Sequence, residues 1–141
     1  MASLPLSPNC LRGQSFHKDC CRIVYSGGDI YEANGCLAKG GCDAIIVDNQ
    51  RRRILLVEGK CRGRISADDA GDVIGQLRRC KEWLRERLGP NFGGYEVIYV
   101  VLHGSRRVER YAIKRLEKEG RGKLGYPIQR KRSDEDLSKL P

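Results

Sequence analysis

Two acidic residues and a lysine are spaced so that one β-hairpin would carry all three on the same face. Asp43 and Glu58 are 15 positions apart, and the chain between them reads as two apolar strands, 42–48 and 53–60, joined by a short polar turn. If the turn is symmetric about its middle, Asp43 lies directly opposite Glu58. Lys60 shares their face, because side chains two residues apart on a strand point the same way.

This arrangement favours a divalent metal ion. Carboxylates that face each other across a strand pair repel, and they are tolerated when they share a proton or bind a cation. Oxygen ligands of this kind select Mg²⁺ or Mn²⁺ over softer metals. The lysine adds a positive charge that can orient a water molecule or help to deprotonate it. The alternative is an ordinary set of salt bridges, in which Asp43 and Glu58 pair with Lys60 or with nearby arginines.

The segments around these residues predict an α/β fold. Residues 44–47 and 54–57 are apolar on both faces, which is typical of central strands covered on two sides by helices. Residues 66–88 repeat apolar side chains at three-and-four spacing and predict a long helix, followed by a buried strand over 95–102 and a second helix over 106–119. A strand, helix and strand in this order form a parallel crossover. We therefore predict a central mixed β-sheet flanked by helices.

The length of the chain indicates one domain. The 141 residues suffice for a single core of ordinary size. We place this domain at residues 1–125, with its core at 21–119, a strand at 22–25 and a short helix beginning at 7–8. Residues 126–141 contain a basic run and then an acidic run without a core pattern. They are either a mobile extension or an addition to the sheet edge.

The charge of the chain predicts a polyanionic partner. The net charge is +9, and arginines outnumber lysines about two to one, which favours bidentate contacts with phosphate. Aromatic residues are few, so we expect contacts with the backbone of a nucleic acid rather than with its bases. We expect DNA rather than RNA as the partner. We assign phosphate contacts to Arg62 and Arg64 after the second strand, and to Arg51, Arg52 and Arg53 in the turn. The turn arginines are alternatively a solvated surface.

The apolar runs, the N-terminus and the cysteines bear on the compartment of the protein. No apolar run approaches the length of a membrane span, and the N-terminus lacks the features of a signal peptide, so we expect a cytosolic protein. Seven cysteines without a Cys-x-x-Cys pair argue against a secreted disulfide scaffold and a zinc ribbon. We expect most of them to be small buried apolar residues. Disulfides, as in intracellular proteins of hyperthermophiles, and a metal cluster of the first four cysteines remain alternatives.

The hairpin with Asp43 and the string Glu58-Gly59-Lys60, followed by a helix and another strand, resembles the PD-(D/E)XK nuclease superfamily over about residues 41–104. That superfamily includes type II restriction enzymes, archaeal Holliday junction resolvases and phage-type exonucleases. The resemblance implies a restriction-endonuclease-like fold and hydrolysis of DNA by a Mg²⁺-activated water. It makes Asp43, Glu58 and the carbonyl of Gly59 metal ligands, and Lys60 the residue that orients the water.

Two further positions follow from this resemblance. Gln76 and Leu-Arg-Arg-Cys80 are similar to the Gln-x-x-x-Tyr motif of the exonuclease branch, with Cys80 in place of tyrosine. Gln76 would then be a catalytic residue, although a glutamine on a solvent-facing helix surface is a simpler interpretation. The superfamily also carries a glutamate on its first helix. Glu32, or Asp19 on the predicted first helix, would complete the metal shell, unless either is a surface acid.

We therefore expect a Mg²⁺- or Mn²⁺-dependent nuclease that works as a homodimer, by analogy with the superfamily. The main alternative is a catalytically silent nucleic-acid-binding module on the same fold. A zinc or iron–sulfur protein with cysteine ligands is a third.

Overall fold

A six-stranded mixed sheet forms the centre of the computed structural model, which describes residues 6–61, 63–104 and 108–141. Its spatial order is β1-β4-β5-β6-β7-β8, and β2 and β3 pair separately as a hairpin. In chain order the elements are a 3-10 helix (Pro8–Cys10), β1 (Leu11–Gly13), β2 (Ser15–Lys18), β3 (Cys21–Val24), β4 (Asp29–Glu32), β5 (Ala44–Asp48), β6 (Arg53–Lys60), α1 (Ala67–Leu88), a 3-10 helix (Gly89–Gly94), β7 (Glu96–His103), α2 (Arg110–Leu124), β8 (Ile128–Arg132) and a 3-10 helix (Leu137–Lys139). The predicted α/β class with a mixed sheet is confirmed.

The hairpin of β5 and β6 has the predicted register. Ala44 pairs with Val57, and Asp48 pairs with Arg53 next to the turn. The regular ladder begins at Ala44, so Asp43 lies just outside it. The backbone N–H of Asp43 donates to the carbonyl of Val57 at 2.9 Å. Asp43 thus lies at the end of the hairpin beside Glu58, in an irregular position rather than in a standard cross-strand pair.

Both faces of the sheet are buried, but helices cover only one of them. The first face packs against α1 and α2 through residues such as Leu56, Tyr99, Leu77 and Leu116. The cluster on the second face is formed by the β2–β3 hairpin and the C-terminal segment, and among the described residues it contains none from α1 or α2. The expectation of helices on two sides was therefore wrong. A strand that is apolar on both faces requires burial on both sides, whatever element supplies it.

Helix α1 begins with a capping box at Ser66. The Ser66 hydroxyl accepts a hydrogen bond from the backbone N–H of Asp69 at 3.2 Å, and Asp69 Oδ2 accepts one from the Ser66 N–H at 2.9 Å. The helix runs from Ala67 to Leu88, which confirms the predicted helix at 66–88. It connects β6 to β7 as a parallel crossover, also as predicted. The capping box fixes where the helix starts relative to the end of β6.

Helix α2 differs from the prediction at both ends. It begins at Arg110 and ends at Leu124, before Gly125 in the left-handed conformation with φ +86°. The predicted end near residue 119 was wrong because Gly120 does not break the helix. A Cβ at Gly120 would lie 3.0 Å from the Ile128 side chain, so this glycine lets α2 pack closely on β8.

The C-terminal residues belong to the fold. β8 pairs with β7 in parallel, so the structure shows the sheet-edge addition rather than the mobile extension that the sequence left open. After β8, Leu137 and Leu140 are buried in the core of the second face. Arg53 holds this segment: its guanidinium donates to the carbonyls of Ser138 at 2.9 Å and Leu140 at 2.7 Å. It also donates to the Tyr25 hydroxyl at 2.9 Å.

Replacing Arg53 by alanine should destabilise the protein by about 3–5 kcal/mol, because it removes the donor to the buried carbonyl of Leu140 and leaves only the exposed Arg51 at the Ser138 carbonyl and the Asp48 carboxylate. Denaturant unfolding measures this loss, and limited proteolysis should cut first within the C-terminal segment. Arg51→Ala is the control, since Arg51 also donates to Ser138 but its side chain is 55% exposed. We expect that control to lose less than about 1 kcal/mol. Equal losses in the two variants would contradict this role of Arg53.

All the cysteines lie in the described residues, where six of them form three disulfides: Cys10–Cys36, Cys21–Cys61 and Cys42–Cys80. Only Cys20 is free. The expectation of unpaired apolar cysteines was wrong, and so was the alternative of a cluster of the first four. Such disulfides occur in oxidising compartments and inside hyperthermophiles, so the cytosolic location stays a prediction. Within the described residues, no helix has the length and apolar character needed to cross a bilayer.

Candidate metal centre at the end of the hairpin

The structure brings Asp43, Glu58, Lys60 and Gln76 together. Glu58 is buried, with 3% of its surface exposed, and the carboxylate of Asp43 is near enough to raise the pKa of its carboxyl. Lys60 Nζ lies 4.0 Å from Glu58 Oε2. Gln76 reaches the same carboxylate from α1. The predicted group of two acids and a lysine is thus present where β6 packs against α1, and Gln76, a separate candidate on the helix, joins it.

Asp43 is held by the backbone of the strand opposite. Its Oδ2 accepts a hydrogen bond of 2.9 Å from the N–H of Gly59. A Cβ at Gly59 would lie 2.8 Å from Cys21 Sγ and 3.3 Å from Asp43 Oδ2. A larger residue at this position would therefore displace the sulfur and the carboxylate from the strand. Glycine between Glu58 and Lys60 is therefore required for the close approach of three chain segments.

Glu58 has an unusual electrostatic environment. The pKa of its carboxyl is raised from 4.5 to about 8, mainly by burial and next by the negative charge of Asp43, while the positive charge of Lys60 lowers it. Its Oε1 is buried without a hydrogen-bond partner among the described residues. An unpartnered buried oxygen is unfavourable. Without a metal ion, Glu58 therefore holds a proton near neutral pH.

These properties fit a divalent cation at Asp43 and Glu58. A cation beside two carboxylates removes their repulsion and gives Glu58 Oε1 a partner, so it can replace the proton on Glu58. Both ligands are hard oxygen donors, as Mg²⁺ and Mn²⁺ prefer. The carbonyl of Gly59, which the sequence predicted as a further ligand, lies in the chain between Glu58 and Lys60.

Gln76 lies on the face of α1 that points toward the sheet. With its amide nitrogen directed at the carboxylate, Gln76 donates to Glu58 Oε2 and, at 3.3 Å, to the backbone carbonyl of Asp72 one turn earlier. The solvent-facing alternative was therefore wrong. Gln76 therefore holds Oε2 of Glu58, and Oε1 stays without a partner among the described residues.

Asp69 is a neighbour of the site that the sequence analysis missed. The pKa of its carboxyl is lowered mainly by the hydrogen bond from the Ser66 backbone, and the positive charge of Lys60 contributes. The signal was present in the sequence, since Ser66 and Asp69 have capping-box spacing just after Lys60. Asp69 thus links the start of α1 electrostatically to the lysine of the site.

Glu32 is not brought to this centre. It pairs with Ala44 in the sheet, and the Ala44 side chain lies in the cluster on the second face, opposite to α1. Its carboxylate accepts from Arg12 at 2.7 Å and from Lys18 at 3.0 Å, and these two cations lower its pKa. Glu32 is therefore a neutralised acid on the other face, and its predicted place in the metal shell is not supported by its position.

Asp19 lies in the turn between β2 and β3, with φ +53°, and not on a helix as predicted. It is exposed and lines a cavity together with Gly59 and Lys60. The site therefore has two buried or half-buried carboxylates at its centre and a third, exposed one across a cavity.

No protein-family model, curated protein or solved structure matches this chain.

The predicted phosphate-binding arginines fall in different places. Arg51, Arg52 and Arg53 lie at the turn end of the hairpin. Arg53, the first residue of β6, is about 17 Å along the strand from Glu58 at the usual rise per residue. Arg53 is buried under the C-terminal segment, and the guanidinium of Arg52 stacks 4.7 Å above the ring of Tyr95. The turn is therefore not beside the active face, contrary to the prediction.

Arg64 is the better placed of the predicted phosphate contacts. It is exposed and lies between Lys60 and the start of α1. Arg62 lies outside the described residues. On the other side of Lys60, His103 pairs with it in the parallel ladder of β6 and β7.

Proposed function

We propose that this protein is a metal-dependent nuclease of the PD-(D/E)XK type, with a restriction-endonuclease-like fold, that hydrolyses phosphodiester bonds of DNA. One observation carries the proposal: Glu58 is a buried carboxyl with an unpartnered oxygen, next to the carboxylate of Asp43 and 4.0 Å from the ammonium of Lys60. A purely structural salt bridge would not need a second acid beside the first. The antiparallel β4–β5–β6 segment followed by the α1 crossover to β7 supports the fold assignment.

The roles follow from position. Asp43 and Glu58, with the Gly59 carbonyl, would hold Mg²⁺ or Mn²⁺, which when bound polarises a phosphate oxygen and increases the acidity of a bound water. Lys60 would orient the attacking water and stabilise the negative charge that develops on the phosphate. Gln76 would fix Glu58 so that its Oε1 points to the metal position.

The substrate assignment rests on charge. The net charge of +9 attracts a polyanion, and Arg64 adds an exposed guanidinium next to Lys60. A single site cuts one strand, so cleavage of both strands of a duplex would require a homodimer.

The test is cleavage of plasmid and linear DNA by the purified protein with Mg²⁺, and with EDTA as the metal-free control. Asp43→Ala and Lys60→Ala should each reduce the rate by at least about 10²–10³-fold. Glu82→Gln is the matched control, because Glu82 is exposed on α1 and pairs only with Arg78 in the described residues. Cleavage that persists in the Asp43 and Lys60 variants would refute the proposal.

A second candidate is a nucleic-acid-binding module without catalysis. It is favoured by the position of Glu32, which is paired with Arg12 and Lys18 and does not supply the third acid. This protein would bind DNA with an affinity that falls steeply as salt increases, and it would show no turnover with any divalent ion.

A further inference from the structure

A free thiol and a disulfide meet beside Lys60. The sulfur atoms of Cys20, Cys21 and Cys61 all lie within 4.8 Å of one another. Cys21 and Cys61 form a disulfide, whereas Cys20 is free and exposed. The three cysteines line one cavity of about 280 Å³ together with Gly59 and Lys60. Solvent therefore reaches a place where a thiol lies next to a disulfide bond.

The β2–β3 hairpin explains why Cys20 is located there. Lys18 pairs with Cys21, which leaves Asp19 and Cys20 as the two residues of the turn. Because Cys20 directly precedes the disulfide-bonded Cys21 at the tip of this hairpin, its thiol is tethered close to the disulfide and exposed at the same time.

We propose that Cys20, Cys21 and Cys61 form a thiol–disulfide exchange site. The thiolate of Cys20 attacks Sγ of Cys61, so that a Cys20–Cys61 bond forms while the Cys21–Cys61 bond breaks. The bonding pair leaves with Cys21 as a thiolate, which takes up the proton that Cys20 released. The number of disulfides and thiols is unchanged, so the step requires no oxidant or reductant.

The geometry directs the attack to Cys61 rather than to Cys21. Attack on Cys21 would join neighbouring residues, whose Cα atoms are about 3.8 Å apart across a trans peptide, below the usual disulfide range of about 4.4–6.8 Å. The Cα atoms of Cys21 and Cys61 are 5.6 Å apart, and a shift of one residue along the hairpin keeps the cross-link between the same two segments. The exchange therefore moves the cross-link by one position.

The exchange would also affect the residues next to it. Cys61 directly follows Lys60, and Cys21 Sγ lies against Gly59. The exchange site does not depend on the proposed nuclease function. Only its consequence for Lys60, a different cleavage rate in the two disulfide isomers, rests on that function.

The experiment is to locate the free thiol of the wild-type protein. The folded protein is alkylated slowly with iodoacetamide near pH 8 and digested, and peptide fragmentation between residues 20 and 21 shows which cysteine carries the label. We expect a mixture of two singly labelled forms, one that carries the label on Cys20 and one that carries it on Cys21. A label confined to Cys20 would overturn the proposal.

A substitution tests the same geometry. Cys21→Ser, folded in a glutathione redox buffer, should form a Cys20–Cys61 disulfide and contain no thiol that reacts under native conditions. Two reactive thiols, at Cys20 and Cys61, would show that Cys20 cannot reach Cys61. Cys20→Ser is the matched control, because it keeps the Cys21–Cys61 bond of the structure. Both measurements are independent of DNA cleavage, so they distinguish a failed exchange site from a failed nuclease assignment.

Discussion

Glu58→Gln should make the metal-free protein more stable at alkaline pH by up to about 5 kcal/mol, while it abolishes cleavage. The reason is that the pKa of the Glu58 carboxyl is about 8 in the folded protein, raised mainly by burial and next by Asp43, against 4.5 as its ordinary value. An amide has nearly the same shape and never becomes charged. The variant therefore removes the penalty of a buried charge and the proposed metal ligand at once.

The sign follows from proton binding. Between pH 4.5 and about 8, folded Glu58 keeps its proton whereas unfolded Glu58 has lost it. The folded state then binds more protons, so this residue lowers the free energy of unfolding as pH rises through that window. Below pH 4.5 the penalty is absent, and above about pH 8 it is complete. The stability difference between Glu58→Gln and wild type should accordingly grow from acid to alkaline pH.

Urea unfolding in EDTA at several pH values measures this difference. Glu32→Gln is the matched control with the opposite sign, because Arg12 and then Lys18 lower the pKa of Glu32 and stabilise its charged form. That control should lose stability at neutral pH. If Glu58→Gln is less stable than wild type at pH 9, the description of Glu58 as a buried acid with a raised pKa is wrong.

Metal addition provides a second readout of the same residue. Mg²⁺ should raise the melting temperature of the wild-type protein above pH 7 and have little effect near pH 5, because the ion competes with the proton on Glu58. The Glu58→Gln variant should show a much smaller shift. An equal shift in both proteins would place the ion elsewhere.

The hairpin and α1 could be predicted from the sequence because their signals are local. An apolar run on each side of a short polar turn sets the register of β5 and β6, and the pairing of Ala44 with Val57 follows. The spacing of apolar residues and the capping box at Ser66 set the position of α1. Since the site is built where these two elements meet, its central residues were predictable too.

The remainder depends on contacts between distant segments. Arg53 looks like its neighbours in a basic turn, yet it is buried because the C-terminal segment folds over it. Glu32 lies on the other face of the sheet because of its pairing with Ala44, which only the register of β4 determines. A sequence pattern records the period of an element but not which segment will cover it.

The disulfides show the same limit. Cys42 and Cys80 are 38 residues apart, and no spacing rule joins a cysteine just before a strand to one in the middle of a helix. Their pairing became visible only once α1 was packed on the hairpin. The cysteine that replaces the tyrosine of the exonuclease-like motif is thus one half of a cross-link.

Replacing Cys42 and Cys80 by serine should both destabilise the protein and reduce cleavage. The loss of stability is about 4 kcal/mol from the loop that this disulfide closes. Cleavage should fall further than unfolding explains, because Cys42 immediately precedes Asp43 and Cys80 lies one turn after Gln76. Without the bond, the chain segment that carries Asp43 and the helix that carries Gln76 are no longer tied together, so the proposed site would lose its geometry.

The matched control is the double serine variant of Cys10 and Cys36. This disulfide closes a loop of similar length, with a separation of 26 residues. It joins Cys10, directly before β1, to Cys36 in the loop after β4. It should cost about 3–4 kcal/mol of stability and leave the cleavage rate of the folded protein unchanged. Rates measured at a temperature where both variants are folded separate the two effects. If the two variants lose cleavage equally, the Cys42–Cys80 bond stabilises the fold without positioning the site.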